Sequence, residues 1–539
     1  MKKNTVMFTA VLLMLTLLLS SCAAPTPPSA AYPSTAPSAS ASAGSMPGYR
    51  PSEAAPAPSG SYPADSSYGS GESYLVIEEN IRINTDEDST LTFSLKVDTA
   101  SYNNVERYIE SGNLPPKDAV RTEELINYFN YDTDFLFSSE PFSIYAEVAP
   151  SPFDADTYLA MIRVKTHDID KTDLPRSNLT FLIDTSGSMN SYDKLPLLKD
   201  SFALLVETLG EDDMVSIVTY AGSSRVVLDS VSGADKRRIL EAINNLNAGG
   251  STAGGEGIVM AYKLAEKNFI SGGNNRVILA TDGDFNVGVS SNAELSRLIK
   301  EKKESGVYLS ILGFGMGNIR DDLMETLSKD GNGNYAYINS LRTAQKVLVD
   351  ELTGNLFTVA DDVKAQVEFN PENVKSYRLI GYENRIMNDR DFADDTKDAG
   401  EIGAGTDVII MFEIELYNAP NSVELKYQSS TVARAANPDS PYADELFEVR
   451  IRYKDPGESV SKLITFPVKH DNIGTYGSAD FNFACSVAAF ADLLRGSAYS
   501  DTVAPNRIIS IAEDSLGRDK GGYRADFLSL LDRYQRIAG

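Results

Sequence analysis

Asp184, Ser186 and Ser188 stand at alternate positions directly after the apolar run 179–183, so one carboxylate and two hydroxyls gather at a single point of the chain. These are hard oxygen donors, and Gly187 between the serines leaves the backbone room to turn all three towards one cation. Oxygen ligation selects magnesium, with manganese as its substitute, over zinc, which recruits His and Cys; the whole chain holds 2 His and 2 Cys. Three side chains make a weak magnesium site, so further oxygens are required from elsewhere. Two downstream stretches can supply them. One is the glycine turn Gly249, Gly250, Ser251, Thr252, whose two hydroxyl residues are one position apart as alternatives; the other is Asp282, between the apolar run 277–280 and Gly283. Taken singly, each motif reads as a helix cap or a strand-ending turn. Taken together, in this order and each beside an apolar strand or a glycine turn, they favour a metal site.

A shared site requires that the three segments leave one edge of one sheet, because ligands of open α/β sheets lie at the carboxyl ends of the strands. The run 179–183 is apolar and β-prone, as expected for a parallel strand covered on both faces. Over residues 177–353, strands at 179–183, 214–220, 276–280, 308–313 and 334–338 alternate with helices at 194–209, 234–246, 257–269, 292–305, 320–329 and 342–351, with an edge strand at 224–231. This rhythm predicts a doubly wound, mostly parallel, Rossmann-like sheet. Over 354–479 it changes to long alternating strands at 363–369, 374–380, 408–416, 446–453 and 463–468, which read as a β-sandwich-like region. Region 75–176 holds similar strands at 91–97, 142–148 and 158–164, together with helices at 103–111 and 119–129. The α/β domain therefore reads as an insertion in one β-rich scaffold. A helical part, 480–539, follows it, with helices at 486–494, 507–513 and 524–536.

Residues 1–21 carry Lys2 and Lys3, then an apolar run from 6 to 19, and end just before Cys22. That pattern is a lipoprotein signal peptide with Cys22 as the lipidated residue, since the apolar run is short for a spanning helix. Residues 22–74 form a tract of Pro, Ser, Ala, Tyr and Gly that lacks the aliphatic residues of a core, and they read as an extended tether. The formal net charge of −27 excludes nucleic acid as an expected partner. Cys485 lies in an apolar run and is expected in the core. No dinucleotide or P-loop fingerprint is complete, so no nucleotide is implied. His167 and His470 belong to no nucleophile or zinc motif, and the chain is not read as an enzyme. The acidic stretch Asp389, Asp391, Asp394, Asp395, Asp398 has the composition of a calcium loop, and a solvated loop is the favoured reading.

The three oxygen-bearing motifs resemble the metal-ion-dependent adhesion site of von Willebrand factor type A (VWA) domains, and all five ligand positions match, as Asp184, Ser186, Ser188, Thr252 and Asp282. The flanking stretches 98–102, 114–121, 123–129 and 400–405 are similar to bacterial VWA lipoproteins of the YfbK type, a likeness that runs from about residue 75 to the C-terminus. The resemblance implies a multidomain α/β chain, lipid-anchored in the cell envelope and facing outside the cytoplasm. It implies further that bound magnesium captures an exposed carboxylate of a protein partner. A structural module whose metal only stiffens the sheet edge is the alternative.

Overall fold

In a computed structural model the chain is described over residues 66–68 and 71–538, apart from 97, 133–140, 171–172, 252–253, 284–291, 418–439 and 501–502. The central α/β domain is built from β1 (Ser177–Asp184), α1 (Leu195–Thr208), β2 (Met214–Tyr220), β3 (Ser224–Ser232), α2 (Lys236–Asn244), α3 (Gly254–Lys267), β4 (Asn274–Thr281), α4 (Asn292–Glu304), β5 (Tyr308–Phe314), α5 (Asp321–Asp330) and β6 (Tyr335–Ile338). Its six strands lie in the order β3-β2-β1-β4-β5-β6, parallel throughout except for the edge strand β3. Alternation along β1 explains the burial on both sides. Leu179, Phe181 and Ile183 join Phe202, Leu205 and Ile239 in one core, while Leu182 joins Ile258, Ala261 and Leu279 in the other. The strand order reverses between β1 and β4, the point at which ligands of open α/β sheets bind.

Two antiparallel sheets make the scaffold, and each mixes strands from both sides of the insertion. One runs Ile386–Met387, Thr90–Ser94, Thr358–Phe369, Glu445–Lys454, Lys462–Lys469; the other runs Ile83–Asn84, Val374–Ile380, Asp407–Leu416, Tyr158–Thr166, Phe142–Pro150. Between them lies a single core that includes Phe93, Ile162, Val367, Phe369, Phe412 and Val449. The sandwich with an inserted domain is therefore as the sequence predicts.

Three expectations are corrected, each at an element boundary. The C-terminal part is helical as expected, through Ala479–Arg495, Pro505–Asp514 and Tyr523–Ala538. Phe483, Phe490 and Phe527 share a core with Tyr102, Ile126 and Phe129 of the N-terminal region and with Met161 and Met411 of the second sheet; buried Cys485 belongs to it. The first of these helices starts well before residue 486, because Ser478 caps it by accepting from the Phe481 N–H, and Gly496 at φ 63° ends it. Second, the tether does not extend to residue 74. Ser66–Tyr68 pairs antiparallel with Glu72–Tyr74, and Glu72, Ser73 and Tyr74 are buried. Third, the closing helix of the α/β domain is broken into Leu341–Gln345, a wide π-helical turn Lys346–Asp350 and Leu352–Leu356. At that turn the buried Lys346 ammonium lies over the rings of Tyr128 and Tyr523, at 4.8 and 4.6 Å from their centroids.

A buried ionic cluster fixes the inserted domain on the scaffold. Arg121 contacts Glu124 at 2.5 Å and, on α5, Asp321 at 2.5 Å and Glu325 at 3.7 Å; Arg385 reaches Glu325 at 3.3 Å and Asp98 at 3.1 Å. Arg121→Met should leave these carboxylates buried against one another. A loss of about 3–5 kcal/mol is expected, read as a lower urea midpoint at neutral pH. An unchanged midpoint would show that the cluster does not hold the domains together.

Candidate metal centre

The switch point between β1 and β4 collects four of the five residues expected to bind metal. Asp184 closes β1 and is paired in register with Tyr220 at the end of β2. Its Oδ1 accepts from the Ser186 N–H at 2.8 Å, and its Oδ2 accepts from the Tyr220 hydroxyl at 3.1 Å and the Thr281 hydroxyl at 3.2 Å. This carboxylate is thus held by both neighbouring strands. Ser186 and Ser188 bring their hydroxyl oxygens to 2.9 Å of each other, on either side of Gly187. The Gly187 N–H donates to the Gly250 carbonyl at 3.0 Å and the Gly249 N–H to the Thr185 carbonyl at 2.8 Å, which lays the second motif directly on the first. Gly250 has φ 90°, and a Cβ there would lie 3.3 Å from the Gly222 nitrogen, so glycine suits both the conformation and the approach. Thr252 lies outside the described residues; Ser251, its neighbour, is exposed.

Asp282 follows β4 and is buried. Its charge is close enough to raise the Asp184 carboxyl, which burial pushes up to about 6 while the Ser186 hydrogen bonds hold it back. Sequence reading missed Lys194, noted only as the start of a helix. Its ammonium sits 2.8 Å from Asp282 Oδ2, buried, across a sequence separation that no local motif spans. The turn after Asp282 is clamped as well. Gly283, at φ 98°, takes the backbone of residues 318–320 where a Cβ would lie 2.3 Å from the Asn318 carbonyl oxygen. That same loop receives the N-terminal strand, with Ser73 N–H donating to the Ile319 carbonyl at 3.0 Å and Gly317 N–H to Glu72 at 2.8 Å.

The donor set fits a hard cation: two buried carboxylates, two hydroxyls in contact, and a backbone that can supply no thiolate or imidazole. Among the described residues no group of three or more His, Cys, Asp or Glu side chains is placed to hold a metal ion, so the hydroxyls are integral to any such site. The alternative acidic stretch does not gather. Asp389 accepts from Thr92 at 2.7 Å, Asp395 pairs with Arg452 at 3.2 Å and Asp398 with Lys303 at 2.8 Å, each on its own partner. Outside the centre, Tyr192 and Met316 are 80% and 45% exposed, and both line a cleft of about 220 Å³ with Arg107, Asp193, Gly315 and Tyr337.

Three family models match the chain: von Willebrand factor type A domain over residues 178–351, von Willebrand factor over 69–161, and the C-terminal region of uncharacterized protein YfbK over 354–537. Uncharacterized protein YfbK of Escherichia coli (strain K12) is 43% identical over 467 residues, covering 85% of this chain and 80% of the relative. Inter-alpha-trypsin inhibitor heavy chain H3 of Bos taurus is 27% identical over 168 residues, covering 30% of this chain and 18% of that protein. Among solved structures, von Willebrand factor type A from Catenulispora acidiphila covers 72% of this chain and 91% of its own, at 15% identity and a TM-score of 0.40. Sheet order and matched family model together define a VWA domain, a protein-interaction or adhesion module. The chain belongs to the YfbK family of VWA-containing proteins.

The Tyr220 hydroxyl is the test of how the centre is held. Tyr220→Phe keeps the ring but deletes a bond to a buried carboxylate, and a stability loss of about 2 kcal/mol is expected in urea unfolding. A neutral result would mean that Thr281 and the Ser186 N–H suffice to orient Asp184.

Proposed function

We propose that this chain binds magnesium, or manganese in its place, through Asp184, Ser186, Ser188, Thr252 and Asp282, and uses it to capture a carboxylate of a protein partner. The observation that carries the reading is the pair of buried carboxylates beside two touching hydroxyls at the strand-order switch. A bound divalent cation supplies an electrophilic position for an acidic side chain of the partner. Asp184 and Asp282 provide the negative charge that retains it, and the serines and Thr252 add neutral oxygens that leave it electron-poor. Tyr220 and Thr281 keep Asp184 aimed, and the 318–320 loop keeps Asp282 in place. Nothing in this arrangement activates a nucleophile, so we read the chain as a binding module and not as an enzyme. Cys22 is proposed to carry the lipid that anchors it in the cell envelope, facing outside the cytoplasm. Among the described residues no helix is long and apolar enough to cross a membrane.

Calorimetric titration of magnesium, paired with melting curves, tests the site. Asp184→Ala should abolish magnesium binding and magnesium-dependent partner capture, whereas Thr252→Ala should weaken capture more than folding. Wild-type affinity in Asp184→Ala would refute the site. If chelator left partner binding intact wherever the fold survives, the metal would be structural only. Proton competition gives a second readout. Because the Asp184 carboxyl is raised to about 6, its proton must leave before the cation binds; affinity should be flat above neutral pH and fall about tenfold per unit below about 6. In the metal-free protein the sign is opposite. A raised carboxyl favours the folded state as pH drops through about 6 towards its unfolded value, so chelator-treated protein should gain this contribution where magnesium binding is lost.

A further inference from the structure

The metal centre contains a fixed positive charge of its own. The Lys194 side chain leaves the residue just before α1, runs across Gly315 and ends 2.8 Å from Asp282 Oδ2. Gly315 makes that route possible: it sits at φ 75°, and a Cβ there would lie 2.3 Å from Lys194 Cγ and 2.4 Å from Cε. Both partners are buried, with side-chain exposures of 8% and 0%. Helix stability does not explain the placement, because a cation at a helix N-terminus opposes the macrodipole. Nor does general pairing, since burying an ammonium costs hydration that only a well-placed acceptor offsets. The charge is directed at the centre.

We propose that Lys194 sets the charge of the metal centre, so that the bare cation is held weakly and the cation together with an anionic ligand is held strongly. The proposal rests on the magnesium-capture reading above. With Asp184 and Asp282 ionised and no lysine, the centre would carry two negative charges, and a divalent cation would neutralise it. A neutral centre has little electrostatic reason to recruit a carboxylate. With Lys194 present one negative charge is already balanced, so the loaded centre keeps a net positive charge, and a carboxylate ligand completes the neutralisation. Lys194 is therefore a positioning and charge-setting residue; it needs no contact with either cation or ligand. At separations of several ångström and an effective dielectric constant near 20, one unit charge acting on a divalent cation changes its affinity by about a thousandfold or more.

The experiment is magnesium titration of the full chain at neutral pH, in chloride and in acetate at equal ionic strength, for wild type, Lys194→Met, Lys194→Gln and Lys194→Arg. Acetate stands in for the ligand carboxylate. In chloride the two neutral variants should bind magnesium more tightly than wild type by about a thousandfold or more. Acetate should tighten magnesium binding to wild type several-fold and have little effect on the neutral variants, a reciprocal linkage that a merely structural lysine would not produce. Lys194→Arg should behave like wild type. Unchanged or weaker magnesium affinity in folded Lys194→Met and Lys194→Gln overturns the proposal and leaves the metal reading standing. So does an absence of acetate tightening in wild type that binds magnesium, an outcome that needs no variant to fold. Failure of folded wild type and both neutral variants to bind magnesium at all overturns the metal reading and the proposal with it.

Discussion

The buried guanidinium of Arg121 is the contact on which the arrangement of the parts depends. An inserted domain is joined to its host by two chain crossings, which limit its position but leave its orientation to the interface. Here the interface includes buried ion pairs. Arg121 comes from the N-terminal region, Asp321 and Glu325 from α5 of the VWA domain, and Arg385 from the second half of the scaffold. Ions buried in this way are tolerated only when each finds a partner at the right distance. The cluster therefore accepts one orientation, where an apolar patch would accept several. Burial, with the Glu325 and Asp98 charges, raises Glu124 to about 8 against the pull of Arg121, and burial with the nearby Glu383 charge raises Glu123 to about 7.

What this orientation fixes is the rim of the candidate metal centre. α5 begins directly after the loop that covers Gly283, so the contacts that seat α5 on Arg121 also seat that loop beside Asp282. From the other side the loop is held by Glu72 and Ser73, and Glu72 is itself fixed by Arg107 at 2.9 Å and Tyr74 at 2.8 Å. Burial raises the Glu72 carboxyl, but the Arg107 guanidinium and the hydrogen bonds around it outweigh that and bring it down to about 2. It is thus a fully charged anchor at any physiological pH. Asp184 behaves oppositely because burial raises it, its donors are all neutral, and the nearby Asp282 charge adds to the rise.

Much of this was legible in the sequence, and the reason is physical. Strands buried on both faces write themselves as apolar runs, and small polar residues at their ends mark the edge where ligands sit. That is why β1, β2 and β4 and the positions of Asp184, Ser186, Ser188 and Asp282 were readable from one chain. The scaffold was readable because its strands alternate, and because similar strands stand on both sides of the insertion. Lys194 was not readable: its partner is 88 residues away, and a lysine near a helix start is ordinarily a solvated residue. Glu72–Tyr74 was hidden because three residues have no periodicity and follow a tract with the composition of a tether. The shared helical layer was hidden because amphipathicity says that a helix has an apolar face without saying which distant face it meets.

These long-range dependencies bear on what counts as the functional unit. Residues 177–353 hold every side chain proposed to bind metal, and their two hydrophobic cores are largely internal. By core packing alone the VWA domain is self-contained. Its rim is not, because the loop against Gly283 accepts a hydrogen bond from the Ser73 N–H and donates one to the Glu72 carboxylate, about a hundred positions before the domain, and α5 takes its charge partners Arg121 and Arg385 from either side of the insertion. A metal ligand is useful only when its position is fixed to a fraction of an ångström by what surrounds it. The scaffold therefore does more than carry the VWA domain: it supplies the outer support that holds Asp282 and its turn, and the geometry of the centre is a property of the whole folded chain.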